Sequence, residues 1–365
     1  MNHSLGGARS RTAAAAVGLL TAGVLAACAQ PVDAPGSPLD GLHTCPGAGS
    51  LIGVFTGRDQ TAAPSDGPEV AGSDTWALDI SGTARRLTHD GVHAGAVISP
   101  DGLAVYQLRS SGRVLGESLE APSVIERVDV RTGRTSTVAH LPAIADLAVS
   151  GDGRRLAAAH TLESHPDTGL DVNTVAVIDV AAPGTPRELS RAPDVAPDLF
   201  SVVTQVALSP GGDRLAYSLA VEVRRGAVVN TLRIRNLTTN EDTVVHTPPD
   251  TDFLSDVAWS PDGATVLAAV RYQQPGDTVE SPARFRTLRV DVASGRTTED
   301  DGYAQDFSPR SVDGSTVLGL APASDPQGGP HGRALVSWDR QRGASDPQPI
   351  DHQAAGISVA ACSYR

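Results

Sequence analysis

Lysine is absent from this chain, so all 29 basic side chains are arginine. We read that as coding bias in a GC-rich genome and assign it no chemistry. Against the arginines stand 42 Asp and Glu, a formal net charge of −13. A surface of that sign argues against nucleic acid and anionic lipid, so neither is expected as a partner. Catalytic signatures are missing as well: there is no Gly-x-Ser-x-Gly elbow, no His-Glu-x-x-His pair and no P-loop. The histidines are scattered, and His89 with His93 is a weak metal hint. Beyond residue 27 no stretch is long and apolar enough to span a bilayer as a helix. None repeats its apolar residues at helical spacing.

At the N-terminal end, Arg9 and Arg11 precede an apolar stretch from Ala13 to Ala27, a pattern that reads as a targeting segment. It closes in Leu25-Ala26-Ala27-Cys28, which resembles the lipobox of bacterial lipoproteins. The resemblance implies a signal peptide over 1–27, cleavage before Cys28, and acylation of its thiol with palmitate or a similar chain. A plain secretory peptide is the alternative. The expected location is therefore the extracytoplasmic face of the cell membrane, held by lipid alone. Residues 28–44, rich in Pro, Gly, Ala and Asp, read as a flexible tether.

What the chain does have is a repeated phase marker. Ser99-Pro100-Asp101-Gly102, Ser150-Gly151-Asp152-Gly153, Ser209-Pro210-Gly211-Gly212, Ser260-Pro261-Asp262-Gly263 and Ser311-Val312-Asp313-Gly314 are one motif, at spacings of 51, 59, 51 and 51 residues. A fixed period of this size signals a solenoid or a propeller. Another step of 51 from Ser311 lands on Cys362, and a step of 54 back from Ser99 lands on Cys45. The two cysteines thus fall in the serine slot of one further repeat, split between the ends of the chain.

A second marker, at Asp79–Gly82, Asp129–Gly133, Asp179–Gly184, Asn236–Asn240, Asp291–Gly295 and Asp339–Gly343, also occurs six times. Short β-branched segments between Asp/Gly turns form an all-β meander. The fold expected is a six-bladed β-propeller over 45–365, closed by pairing Ile357–Ala361 beside Leu51–Phe55 in one blade. Cys45 and Cys362 are expected to form a disulfide that locks the closure; two free thiols are the alternative.

Val257–Leu267 (VAWSPDGATVL) and Val206–Tyr217 (VALSPGGDRLAY) resemble the repeat of TolB-like propellers built of WD40-like PD40 units. The resemblance covers roughly 45–365. It departs at Ser150-Gly151, which lacks the proline, and at Asp306–Arg310, where the strand ends before its slot. The resemblance does not extend to the separate N-terminal α/β domain of TolB, so no TolB-specific partner is carried over.

Asp101, Asp152, Asp262 and Asp313 recur at a tight turn, so they are read as capping its N–H groups rather than as catalysts. Four residues before the slot stand Asp146, Gln205, Asp256 and Ser358, with Asp306 nearby. If the first strand of each repeat lines a central channel, these polar groups converge there, and oxygen ligands of this kind suit Ca2+. The duller alternative is that they hydrate the channel. The connections between second and third strands all leave from one face and mostly exceed hairpin length, which suits binding.

These features point to a monomeric, lipid-anchored, extracytoplasmic scaffold for protein interaction or sensing, with an envelope protein as partner, no cofactor and no catalysis. The alternative is a propeller enzyme of the lactonase or quinoprotein dehydrogenase kind with a channel-mouth Ca2+.

Overall fold

The computed structural model describes residues 37, 39, 42–59, 73–111, 114–115, 118–119, 121–164, 171–192, 194–195, 200–224, 227–249, 252–272, 284–300, 306–309, 314–322, 333–350 and 352–361. Among them there is no α-helix. The strands form six antiparallel blades, each ordered from the central axis outward.

Blade 1 runs His352–Val359, Leu51–Asp59, Asp74–Asp79, Ala84–Arg86, so its innermost strand comes from the opposite end of the chain. Blade 2 runs His93–Ile98, Ala104–Arg109, Val124–Asp129, Thr135–His140. Blade 3 is Ile144–Val149, Arg155–Ser164, Asp171–Asp179 and the short Arg187–Glu188. Blade 4 is Ser201–Leu208, Arg214–Arg224, Ala227–Asn236, Asp242–His246. Blade 5 is Phe253–Trp259, Thr265–Tyr272, Arg284–Asp291, Thr297–Asp300. Blade 6 is Asp306–Pro309, Thr316–Pro322, Arg333–Asp339, with Gly343–Ala344 and Gln348–Ile350 sharing the outer edge.

The core consists of apolar layers between neighbouring blades. Alternation along each strand sends successive side chains to opposite faces, so one strand feeds two layers. In blade 3, Leu156 and Ala158 pack toward blade 2 while Ala157 and Ala159 pack toward blade 4. Trp338 and Phe307 fill the layer between blades 5 and 6. Fully buried residues such as Leu215, Leu267 and Leu318 lie in the second strands, and others such as Ile125, Leu232 and Leu288 in the third.

One face of the ring is made of the marker turns. Ser99 Oγ donates to Asp101 at 2.6 Å while accepting the N–H of Ala104 at 2.9 Å. Ser150 with Asp152 and Ser260 with Asp262 repeat the arrangement; in blade 4 the acid is Asp213. Asp313 lies outside the described residues. The glycine of each turn adopts a positive φ and sits against the preceding blade: a Cβ on Gly212 (φ 67°) would lie 3.2 Å from that of Ser150. Any side chain there meets both backbone strain and the neighbouring blade.

The ring closes through pairing that runs from Gly53↔Val359 to Asp59↔His352. The slot at the closure differs by two residues from the spacing of the motif. Ala360, not Cys362, donates its N–H to Ile52 O (2.9 Å), as Ser99 does to Ala104. The reason is local: blade 6 pairs Pro309 with Val317, one residue earlier than the motif implies, and blade 1 carries its bulge at Gly356. Cys45 nevertheless takes the packing place of the slot serine, 3.2 Å from the Cβ position of Gly102. Cys362, like Cys28, lies outside the described residues.

Two further features concern the ends of elements. Leu39 and Leu42 are buried in the layer between blades 6 and 1, so the packed region begins before Cys45. The connection Glu222–Val229 is a hairpin of extended strands, paired out to Arg224↔Ala227. The longer 59-residue spacing has a structural counterpart too. Leu189, Ala192 and Val195 enter the layer between blades 3 and 4, and Arg233 grips Asp194 through both amino groups at 2.8 and 2.6 Å. A parallel bridge between Val172 and Ser201 joins these two blades.

Candidate functional site

The innermost strands enclose a central channel with a cavity of about 440 Å³ lined by residues from all six blades. In five of these strands the pairing slips at the same level. The unpaired residues are Ala94, Ala145, Thr204, Ser255 and, one position later, Gly356. A bulge bends its strand and re-aims the residues beside it. Immediately after the bulge stands Gly95, Asp146, Gln205 or Asp256, each three residues before its strand's last residue. The same position in blade 6 is Asp306 and in blade 1 is Gly356.

The structure therefore brings Asp146, Gln205 and Asp256 together along the channel wall, with Asp306 at the equivalent backbone position. Ser358 also lines the channel but lies two residues further along its strand, so it is not a member of that set. These side chains act across the seams between blades. Asp146 Oδ2 accepts the N–H of Val206 in the next blade at 2.8 Å. Asp256 bridges: Oδ2 accepts the N–H of Phe307 at 2.7 Å, and Oδ1 accepts that of Val257 at 2.8 Å. Ser358 Oγ accepts the N–H of Ile98 at 3.2 Å, and Ser308 Oγ that of Val359 at 3.4 Å. Between blades 4 and 5, Trp259 Nε1 donates to Ala207 O at 3.0 Å.

An inner strand has no neighbour on its axial side, so half of its N–H groups need a partner from elsewhere. A carboxylate supplies the stronger, charge-assisted bond. Sequence reasoning located the carboxylates but missed Ser308 and Trp259. The signal available for Ser308 was its place one residue before the end of a first strand, shared with Ser358.

No group of three or more His, Cys, Asp or Glu among the described residues is placed to hold a metal ion. On the loop face, His93 is buried with Nε2 2.9 Å from Asp90, while His89 is exposed. On the turn face Asp129 and Asp291 stay below the ordinary carboxylate range. For Asp129 the main cause is the backbone N–H of Thr132, then its hydroxyl; for Asp291 it is the Ser294 hydroxyl, then its N–H. In the outer part of blade 4, burial pushes the Tyr217 phenol up, and Asp242 beside it adds to the shift.

No protein-family model matches the chain, and no curated protein does. Solved structures do. TolB from Acinetobacter baumannii matches with a TM-score of 0.58 at 13% identity, over 88% of this chain and 68% of that one. An oligogalacturonate lyase in complex with manganese gives 0.46 at 14% identity, over 80% of this chain and 77% of that one. An oligogalacturonate lyase from Vibrio parahaemolyticus gives 0.49 at 11%, over 81% and 79%. The likeness to TolB is one of fold: the chain is a six-bladed β-propeller with TolB among its structural neighbours.

Proposed function

We propose that this propeller is a lipid-anchored binding module of the cell envelope, a scaffold for protein interaction or sensing rather than a catalyst. One observation carries the choice against an enzyme. Asp146 and Asp256, the carboxylates a channel-mouth Ca2+ or proton-transfer site would use, are engaged with backbone N–H groups of neighbouring strands. A carboxylate held that way is a structural fastener, and freeing it would leave buried N–H groups without partners.

The anchor reading rests on Leu25-Ala26-Ala27-Cys28 after the apolar stretch. The oxidising compartment that this location implies allows Cys45 to form a disulfide, and we assign its partner as Cys362 because Cys28 is the lipid attachment point. In vivo cross-linking of the membrane-bound protein tests the binding reading: a specific envelope protein captured by the native chain supports it. A rise of several degrees in melting temperature on adding Ca2+ or a quinone cofactor supports the enzyme instead. Cys28→Ser tests the anchor separately, and its retention in the membrane fraction would end that part of the proposal.

A further inference from the structure

The fasteners around the channel do not form a complete ring. Two residues before the end of each inner strand, the backbone N–H points off its own ladder. Val206 N and Phe307 N show this directly, since each bonds to a carboxylate outside its blade, and Val257 N bonds to Asp256. The residues in the same register in blades 2 and 3 are Ala96, paired with Gln107, and Leu147, paired with Ala158. No side chain among the described residues accepts either of their N–H groups. The cause is in the sequence: where blade 5 has Asp256, blade 2 has Gly95.

The correspondence is complete in its parts. Asp256 bridges the N–H next to it in its own strand (Val257) and the equivalent N–H of the next blade (Phe307). Gly95 stands beside Ala96 in its own strand, and Leu147 is the equivalent N–H of the next blade. There is room for what is missing. Gly95 is not held in a positive φ, and the nearest group to a Cβ there is the Leu108 methyl at 3.4 Å, an ordinary contact. Gly95, Ala96 and Leu147 all line the channel cavity. Asp146, the carboxylate in the adjacent blade, is committed to Val206.

We propose that the gap at Gly95 is a carboxylate-binding site, in which a ligand entering the channel places its carboxylate between the N–H groups of Ala96 and Leu147. The protein already makes this bond with its own Asp256. Two backbone donors converging on one anion form a concave cradle of the kind that binds carboxylates elsewhere. Charge-assisted N–H···O− bonds are about twice as strong as neutral ones. The carboxylate belongs either to a free small organic acid or to the C-terminus of an extended peptide. This inference takes from the proposed function only that ligands enter by the channel, and it is independent of the lipid anchor and of any envelope partner.

The test is an amide chemical-shift titration of the ¹⁵N-labelled full chain with three probes: sodium acetate, N-acetyl-trialanine as the free acid, and the same peptide as its C-terminal amide. Saturable shifts centred on Ala96 and Leu147 with the acids and not with the amide support the site. Acetate acting alone identifies a free acid as sufficient, and the peptide acid acting alone identifies a chain terminus. Gly95→Asp supplies the carboxylate in cis and is expected to weaken acid binding at least tenfold, whereas Gly95→Ala keeps it. Equal response to acid and amide, no response to any probe, or undiminished binding by a folded Gly95→Asp protein overturns the proposal. If Gly95→Asp does not fold, the acid-against-amide comparison on the native chain decides it.

Discussion

On the turn face of the ring the connections are short and nearly identical. On the opposite face they differ in every blade. The turn face repeats Ser, Asp and Gly because each serves the same geometry: a hydroxyl and a carboxylate cap the turn, and the glycine makes room for the preceding blade. The loop face carries the bulges, the paired hairpin of blade 4 and the exposed side chains of Leu162, Val228 and Phe253. Repetition in this molecule thus marks what holds neighbouring blades together. Variation marks where the ring is free to differ.

The contrast can be broken in graded steps. The largest effect is expected at the closure on the turn face. Cys45→Ser, or reduction of the native chain, should lower unfolding stability by about 2–5 kcal/mol in denaturant titrations; an unchanged midpoint would mean that no bridge holds the closure. Next comes the channel. Asp256→Ala strips the partner from two N–H groups and should cost about 2–3 kcal/mol. The same substitution at Gln205, for which no seam bond is seen, should cost distinctly less.

On the turn face, Gly212→Ala combines a left-handed backbone with contact against Ser150 at 3.2 Å, whereas Gly133→Ala, at the same φ of 67°, meets nothing within 4 Å. Both should destabilise, by about 1–2 kcal/mol for the backbone alone. The excess at Gly212 measures the blade-to-blade contact, and equal losses would deny it.

A smaller effect is expected in acid. Asp129 and Asp291 have folded-state values below their ordinary 3.8, each lowered chiefly by hydrogen bonds from its own turn. The unfolded chain then binds protons first. The stability these groups give is present above about pH 4 and is lost as pH falls through their lower folded values. Asp129→Asn should flatten the acid limb of a stability–pH curve, and a steeper limb would mean that the folded carboxyl holds its proton more tightly than the unfolded one. Smallest of all, Phe253→Ser on the loop face should stay within about 0.5 kcal/mol.

The blade count was readable because glycine and aspartate at tight turns leave a local signature, and both marker series keep phase around the ring. Ring closure was readable for the same reason, yet its slot falls on Ala360 rather than Cys362 because a bulge and a longer turn each shift register without altering composition. The channel was half legible. Asp146, Gln205 and Asp256 stand at a fixed distance from the motif, but the partners of Asp146 and Asp256 in the next blade are backbone N–H groups 60 and 51 residues away, and backbone carries no sequence signal. Leu39 and Leu42 were hidden by their neighbours: two leucines in a Pro/Gly-rich stretch look like linker until the layer that receives them is seen.

Those two leucines set how the ring bears load. They are wedged between the first and last blades, a few residues from Cys45, so any pull arriving along the amino-terminal segment meets the ring at the joint between its two ends. Tension there draws on the leucine wedge first and on the paired terminal strands next, in shear along the strand direction. The other five blades are loaded only after that clasp has yielded.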